Sequence, residues 1–485
     1  MSLRQLCQMG LLVVCIVVCI ACGQVYRPVV IPLSINPPNP ANFHNVFSVN
    51  ANIPSNPGTG MQIDVSGDTN IGEIGVGLNP THAAILPNNS RVFVASAGSV
   101  VGQADLVSSF TPAFPSTLAT GLTASTSFSL PAGSQPVFVH STDNNNMYVA
   151  NFGTNAVAAI STSFEVVNSI VSVGVNPVAL AETPDGRNLY VVNQGDNTVT
   201  DLFPTDMSTL AVIPVGSAPV WATTRVDGQR LYVITQGDGN LYTIDTTTNS
   251  VISTQSVGSA GANFLLYDKS RNRLYITNPT AGAVFVFSAA TDPPTPLGSA
   301  SGIRIAATPA CPTSTCPVMP VSVAALPDAS RFYVASYQVA TPCPDPNVTA
   351  PRCVIPQVTV FDAGSLAVKT TVFPLLPALT APSSGVQPFA VAAVSSCDPV
   401  VPYAPGQARF RLFAVAATDS SRAYVSVCDA GAIAIINTTT SSITAGGSNT
   451  PDTLITDMTA PFGAGNAGSN GEPPPQNPIF LLRGQ

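Results

Sequence analysis

Residues Asn176–Leu202 read NPVALAETPDGRNLYVVNQGDNTVTDL, and residues Ala218–Asp245 read APVWATTRVDGQRLYVITQGDGNLYTID. The second stretch is a near copy of the first, with Tyr190 and Tyr232 separated by 42 residues. Each holds short apolar runs, partly alternating with polar residues, broken by D-G and G-D pairs. Asp, Asn and Gly tolerate positive φ or cap their own backbone, so these pairs reverse the chain between antiparallel strands. Four short strands within a 42-residue period are the pattern of one propeller blade.

The unit recurs in both directions. Alignment on the second strand, an aromatic residue followed by a β-branched one, finds VFVAS at Phe93, MYVAN at Tyr148, LYVVN at Tyr190, LYVIT at Tyr232, LYITN at Tyr275, FYVAS at Tyr333 and AYVSV at Tyr424. A proline stands 13 residues upstream of four of these aromatics, at Pro80, Pro177, Pro219 and Pro320, and 12 upstream of Tyr148, at Pro136. The missing N–H of proline costs little at the start of a strand. The expected fold is therefore all-β, a seven-bladed β-propeller of four-stranded antiparallel blades over residues 61–445. Met61–Val65 and Ile71–Val76 read as outer strands of a blade that the C-terminal end of the chain completes. A ring closed by its terminal strands has no free sheet edge.

The repeats YVAN, YVVN and YITN, in the frame P-x12-YV-x-N, resemble the YVTN family of β-propeller repeats, most strongly from Gln135 to Phe287. The resemblance implies a propeller akin to the lactonase-like seven-bladed superfamily, in the setting of a bacterial or archaeal surface protein. It speaks to fold rather than function, because propellers host many unrelated activities.

Composition narrows the setting. Charged residues make up 9% of the chain, against about 25% in an ordinary soluble domain, and the 45 prolines argue against long helices. The formal charge is −8 with 17 Lys and Arg. No basic patch with interleaved aromatics is visible, which argues against nucleic acid as a partner.

The N-terminus, MSLRQLCQMGLLVVCIVVCIACG, carries Arg4 and then an apolar run from Gly10 to Ala21. That run is shorter than the about 20 residues of a membrane-spanning helix and has the length of a signal-peptide core. It ends in Cys19-Ile20-Ala21-Cys22, which resembles the lipobox of bacterial lipoproteins. The resemblance implies a signal peptide over residues 1–22 and lipidation of Cys22. It also implies an exported chain held to a membrane, with Gly23 pointing to the outer membrane or cell surface. A plain secretory signal is the alternative. Residues 23–60, rich in Pro and Asn, read as a stiff tether. Residues 446–485 read as a Gly/Pro-rich tail whose apolar end, PIFLLRG, docks on the ring.

Six cysteines lie in the second half: Cys311, Cys316, Cys343, Cys353, Cys397 and Cys428. An even set in an exported chain argues for disulfides. Short loops favour Cys311 with Cys316 and Cys343 with Cys353, which leaves Cys397 with Cys428. For the first four a metal site is the alternative, and no histidine is nearby. Insertions stretch the aromatic spacing to 58 residues before Tyr333 and 91 before Tyr424. Insertions and cysteines should share the face that carries the loops between blades and between second and third strands. Phe413–Ala417 reads as the first strand of the seventh unit, and Phe389–Val394 as part of an insertion.

Chemistry is sparse. No serine-nucleophile motif, paired-carboxylate constellation or phosphate loop is visible, and the sequence calls for no cofactor or metal. His82 and His140 fall on the first strands of the first two units, where they form either a metal-binding pair at the channel mouth or isolated polar residues in its wall. Glu182, Arg225 and Asp268 fall on other first strands. They either converge on the channel, as in a lactonase-like hydrolase, or lie solvated at its rim. The leading expectation is a lipid-anchored, non-catalytic binding or scaffold module for a protein or surface glycan. A lactonase-like hydrolase using channel residues and a structural cell-surface layer component are the alternatives.

Overall fold

The computed structural model describes residues 44–51, 57–65, 68–98, 105–113, 122–308, 311, 316–343, 352–374, 389–391, 395–400, 402–405, 408–439, 451–454 and 477–484. The signal peptide, Cys22 and the first part of the expected tether lie outside the described residues.

The strands form eight antiparallel sheets, each built on four strands. Seven begin with the innermost strand and step outward: Pro80–Ile85, Pro136–His140, Pro177–Glu182, Pro219–Thr224, Phe264–Asp268, Met319–Ala325 and Leu412–Ala416 open blades one to seven. The eighth has Asn477–Arg483 innermost, followed by Asn45–Ala51, Thr59–Asp64 and Thr69–Gly75. Each inner strand packs on the next, and the eighth on the first.

The propeller therefore has eight blades rather than seven. The terminal strands close the ring as expected, but they make a whole blade of their own. No contiguous copy of the repeat marks it, because its proline-bearing strand lies at the far end of the chain from its other three. The limits of the propeller move outward accordingly. Asn45–Ala51 falls inside the stretch read as a tether, and Asn477–Arg483 inside the stretch read as a tail. The apolar end of that tail is an integral strand. Leu412–Ala416 is the first strand of blade seven, and Phe389–Val391 instead pairs with the third strand of blade six.

The recurring proline has a structural role. At Pro80, Pro136, Pro177, Pro219, Pro320 and Pro478 the inner strand shifts register before the residue two positions on. Such a bulge leaves one residue unpaired and re-aims the next side chain, at a site where proline removes no ladder hydrogen bond.

In three blades the tyrosine of the second strand is fixed by the following blade. A buried tyrosine body needs a partner for its hydroxyl. Tyr190 donates to Asn249 Oδ1 (3.1 Å), Tyr333 to Asp452 Oδ1 (2.7 Å) and Tyr424 to Asp68 Oδ1 (2.9 Å). An arginine two residues before the tyrosine joins the same seam. Arg230 pairs with Asp292 (2.9 Å), Arg331 with Asp452 (3.1 Å) and Arg422 with Asp68 (2.9 Å). At the seams after blades six and seven, an Arg-x-Tyr on one blade and an acid on the next thus form the same latch.

Candidate functional site in the central channel

The residue two positions beyond each inner-strand bulge, and its equivalent in the other blades, builds a layer across the channel: His82, Phe138, Ala179, Trp221, Phe264, Ser322, Phe413 and Phe480. Six of the eight are aromatic, and they touch in a closed ring. Centroid distances run His82–Phe138 3.9 Å, Phe138–Trp221 5.4 Å, Trp221–Phe264 5.0 Å, Phe264–Phe413 5.4 Å, Phe413–Phe480 4.4 Å and Phe480–His82 4.3 Å. The small Ala179 and Ser322 occur where an aromatic from the blade before meets one from the blade after. Each such pair adds about 0.5–1.5 kcal/mol beyond burial.

The insertion between blades six and seven covers this ring on the face where the inner strands begin. Phe410 packs on Trp221, Phe264 and Phe413. The Arg409 guanidinium stacks 4.7 Å from the Trp221 centroid and 5.0 Å from that of Tyr403. It donates to the Val178 carbonyl at 2.9 Å and to the Val220 carbonyl. Desolvation lowers its pKa to about 10, so it stays a cation at neutral pH, offset by two carbonyls and aromatic faces.

The insertions and connections on this face are tied down. All three expected disulfides form: Cys311–Cys316, Cys343–Cys353 and Cys397–Cys428. They fit an extracytoplasmic, oxidising compartment. Between them runs an ion chain in which Asp398 bridges Arg352 (2.6 Å) and Arg411, and Arg411 reaches Asp429 (3.0 Å).

The five candidate channel residues do not share one site. His82 belongs to the aromatic ring, and its Nδ1 accepts the Val139 N–H at 3.4 Å. Burial, with the nearby Arg409 and His140 charges, pushes its pKa well below the ordinary range. His140 is close enough to contribute to that shift. Its own pKa is pushed down to about 4 by burial, and its buried Nε2 has no partner among the described residues. Both imidazoles are neutral at pH 7. No group of three or more His, Cys, Asp or Glu among the described residues is placed to hold a metal ion.

Glu182 and Arg225 lie in seams between blades. The Glu182 carboxylate accepts the Thr142 hydroxyl (2.6 Å) and N–H (3.2 Å) from blade two, and burial raises its pKa against those bonds. Arg225 is held by Asp227 (2.9 Å) and by Asp292 of blade five (2.9 Å). Asp268 lines the channel mouth at the other end of the inner strands. Its Oδ1 accepts the Ser270 N–H at 2.8 Å, and burial raises its pKa.

That mouth opens into a cavity of about 410 Å³. Phe264 and Phe413 of the aromatic ring form its floor, with Leu266 and Val415 in its walls and Tyr267, Lys269 and Arg483 around them. Arg483 and the covering group of Tyr403, Arg409 and Phe410 went unread in the sequence, because one sits in the closing strand and the others in an insertion outside the repeat. The aromatic ring did leave a partial signal, His82, Phe138 and Trp221 each two residues after a repeat proline.

No protein-family model matches the chain, and no curated protein does. Solved structures do. The chain is similar to the periplasmic gluconolactonase of Pseudomonas aeruginosa at 16% identity and a TM-score of 0.50, over 68% of this chain and 95% of that one. It is similar to a candidate 6-phosphogluconolactonase of Bacteroides fragilis at 15% identity and a TM-score of 0.50, over 69% of this chain and 95% of that one. At these identities the likeness is one of fold alone, a β-propeller.

Proposed function

We propose that the chain is an exported, lipid-anchored β-propeller that acts as a non-catalytic binding module, taking a protein or surface glycan on its insertion face. The YVTN-like repeats and the lipobox-like Cys22 support the cell-surface setting. The observation that carries the binding reading is the treatment of the insertions. Three disulfides and the Arg352–Asp398–Arg411–Asp429 chain converge on that one face. Loops held at their ends by covalent and ionic links lose less conformational freedom when a partner binds.

A lactonase-like hydrolase is the second reading, favoured by the gluconolactonase among the similar structures. It would have to work from the open mouth, where Asp268, Lys269 and Arg483 are the ionisable groups beside Tyr267. Both readings are tested on the full-length chain. Saturable binding to a glycan array, to peptidoglycan fragments or to outer-membrane proteins, abolished by replacing residues 344–351 with Gly and Ser, supports the module. Turnover of D-glucono-1,5-lactone that disappears in Asp268→Asn would instead establish the hydrolase.

A further inference from the structure

We propose that the cavity at the open mouth binds a small monocarboxylate with an apolar or aromatic body, the Arg483 guanidinium being its anion contact. The site lies at the opposite end of the inner strands from the insertion face and does not depend on the partner reading. Its volume of about 410 Å³ falls within the roughly 300–1,000 Å³ range of small-molecule sites. Its floor is made by Phe264 and Phe413, so the body of the ligand meets aromatic rings.

Arg483 differs from most of the other buried arginines. Arg225, Arg411 and Arg422 are each paired with one or more carboxylates at about 3 Å. Arg483 has no ion pair among the described residues, and its one hydrogen bond, from Nη1 to the Ala416 carbonyl, is long at 3.5 Å. A guanidinium has five N–H donors in a fork that matches a carboxylate. Burial lowers the Arg483 pKa, and the neighbouring Asp268 charge acts against that shift. A half-buried cation with unused donors beside an apolar cavity is the arrangement that an incoming carboxylate completes.

The surrounding charges select the valence. Lys269 is exposed at the rim and adds a second cation. Asp268 is a second wall residue whose carboxyl is already held by backbone N–H groups. Its negative charge disfavours a dianion such as phosphate more than a monoanion. Arg483 also stands on the strand that closes the ring, whereas the rest of the lining belongs to blades four to seven. A bound carboxylate therefore ties blade eight to blades five and seven and raises the unfolding temperature by mass action.

The test is calorimetric titration of the full-length chain with 1-naphthylacetate and with its neutral analogue 1-naphthylacetamide. The acid should bind about tenfold or more tighter than the amide, as expected for a hydrogen bond to a charged group. Arg483→Gln should erase that preference while leaving weak binding of both. Leu266→Trp, which fills the cavity and leaves Arg483 in place, should abolish binding of both and serves if the arginine variant does not fold. Equal affinity for acid and amide would overturn the proposal, as would a preference that survives Arg483→Gln. Inorganic phosphate binding as tightly as the acid would also overturn it.

Discussion

The His82 imidazole stacks on the Phe138 ring, with 3.9 Å between centroids and 19° between planes. A titratable group thus forms one member of an otherwise apolar ring, between Phe138 on one blade and Phe480 on the strand that closes the propeller. Its neutral form is the one the packing accepts.

That position makes stability depend on pH with a defined sign. The folded pKa of His82 lies below its unfolded value of 6.5. Below that pH the unfolded chain takes up a proton that the folded chain refuses, so stability rises with pH through this window. The contribution is full above 6.5 and is lost as pH falls toward the folded pKa. His140 acts in the same sense between 6.5 and about 4. Asp201, raised to about 6 by burial, acts in the opposite sense. His82→Phe keeps the ring and removes its titration, together with the long bond from the Val139 N–H. Thermal unfolding at pH 7 and pH 5 should show a larger fall for the wild type than for His82→Phe; parallel falls would refute this account.

Trp221 is the most connected member of the ring, touching Phe138, Phe264, Phe410 and the Arg409 guanidinium. Trp221→Ala should cost about 3–5 kcal/mol, since the neighbours are too constrained to fill the space. Trp221→Phe should cost less than half of that. Guanidinium unfolding midpoints for the two variants give the comparison, and equal midpoints would mean that the ring relaxes freely.

The latch between blades seven and eight is buried. Asp68 receives Arg422 and the Tyr424 hydroxyl, and the Arg422 and Asp68 side chains are 0% and 2% exposed. Removing one member of a buried pair leaves an uncompensated charge, at about 3–5 kcal/mol. Asp68→Asn should lower the unfolding temperature and speed amide exchange in Asn45–Ala51 and Asn477–Arg483 before the middle blades. Uniform acceleration across all blades would show that the latch does not act locally.

Asp398 holds Arg352 and Arg411 together beneath the insertions. Asp398→Asn should destabilise by roughly 3 kcal/mol, because Arg411 is then buried against Asp429 alone. The effect should appear as faster exchange in Leu412–Ala416 and as protease cleavage between blades six and seven. An unchanged cleavage pattern would mean that the disulfides suffice to hold that face.

The limits of sequence reading follow from how far apart in the chain each feature's parts lie. The strands, turns and repeat proline of Asn176–Asp245 are local, so their spacing predicts a blade directly. The three disulfides were legible for the same reason, because each closes a short loop or follows an already placed strand. The eighth blade was not, since Asn477–Arg483 pairs with Asn45–Ala51 from the other end of the chain. Nor was the separation of the five candidate channel residues. Glu182 and Asp268 both end inner strands, yet one turns to Thr142 in the neighbouring blade and the other to the cavity. Blade periodicity depends on backbone hydrogen bonding between neighbouring segments, which a sequence displays. Which side chains meet at the axis depends on the bulge that re-aims them, the insertion that covers them and the strand that closes the ring, and only the assembled propeller brings those together.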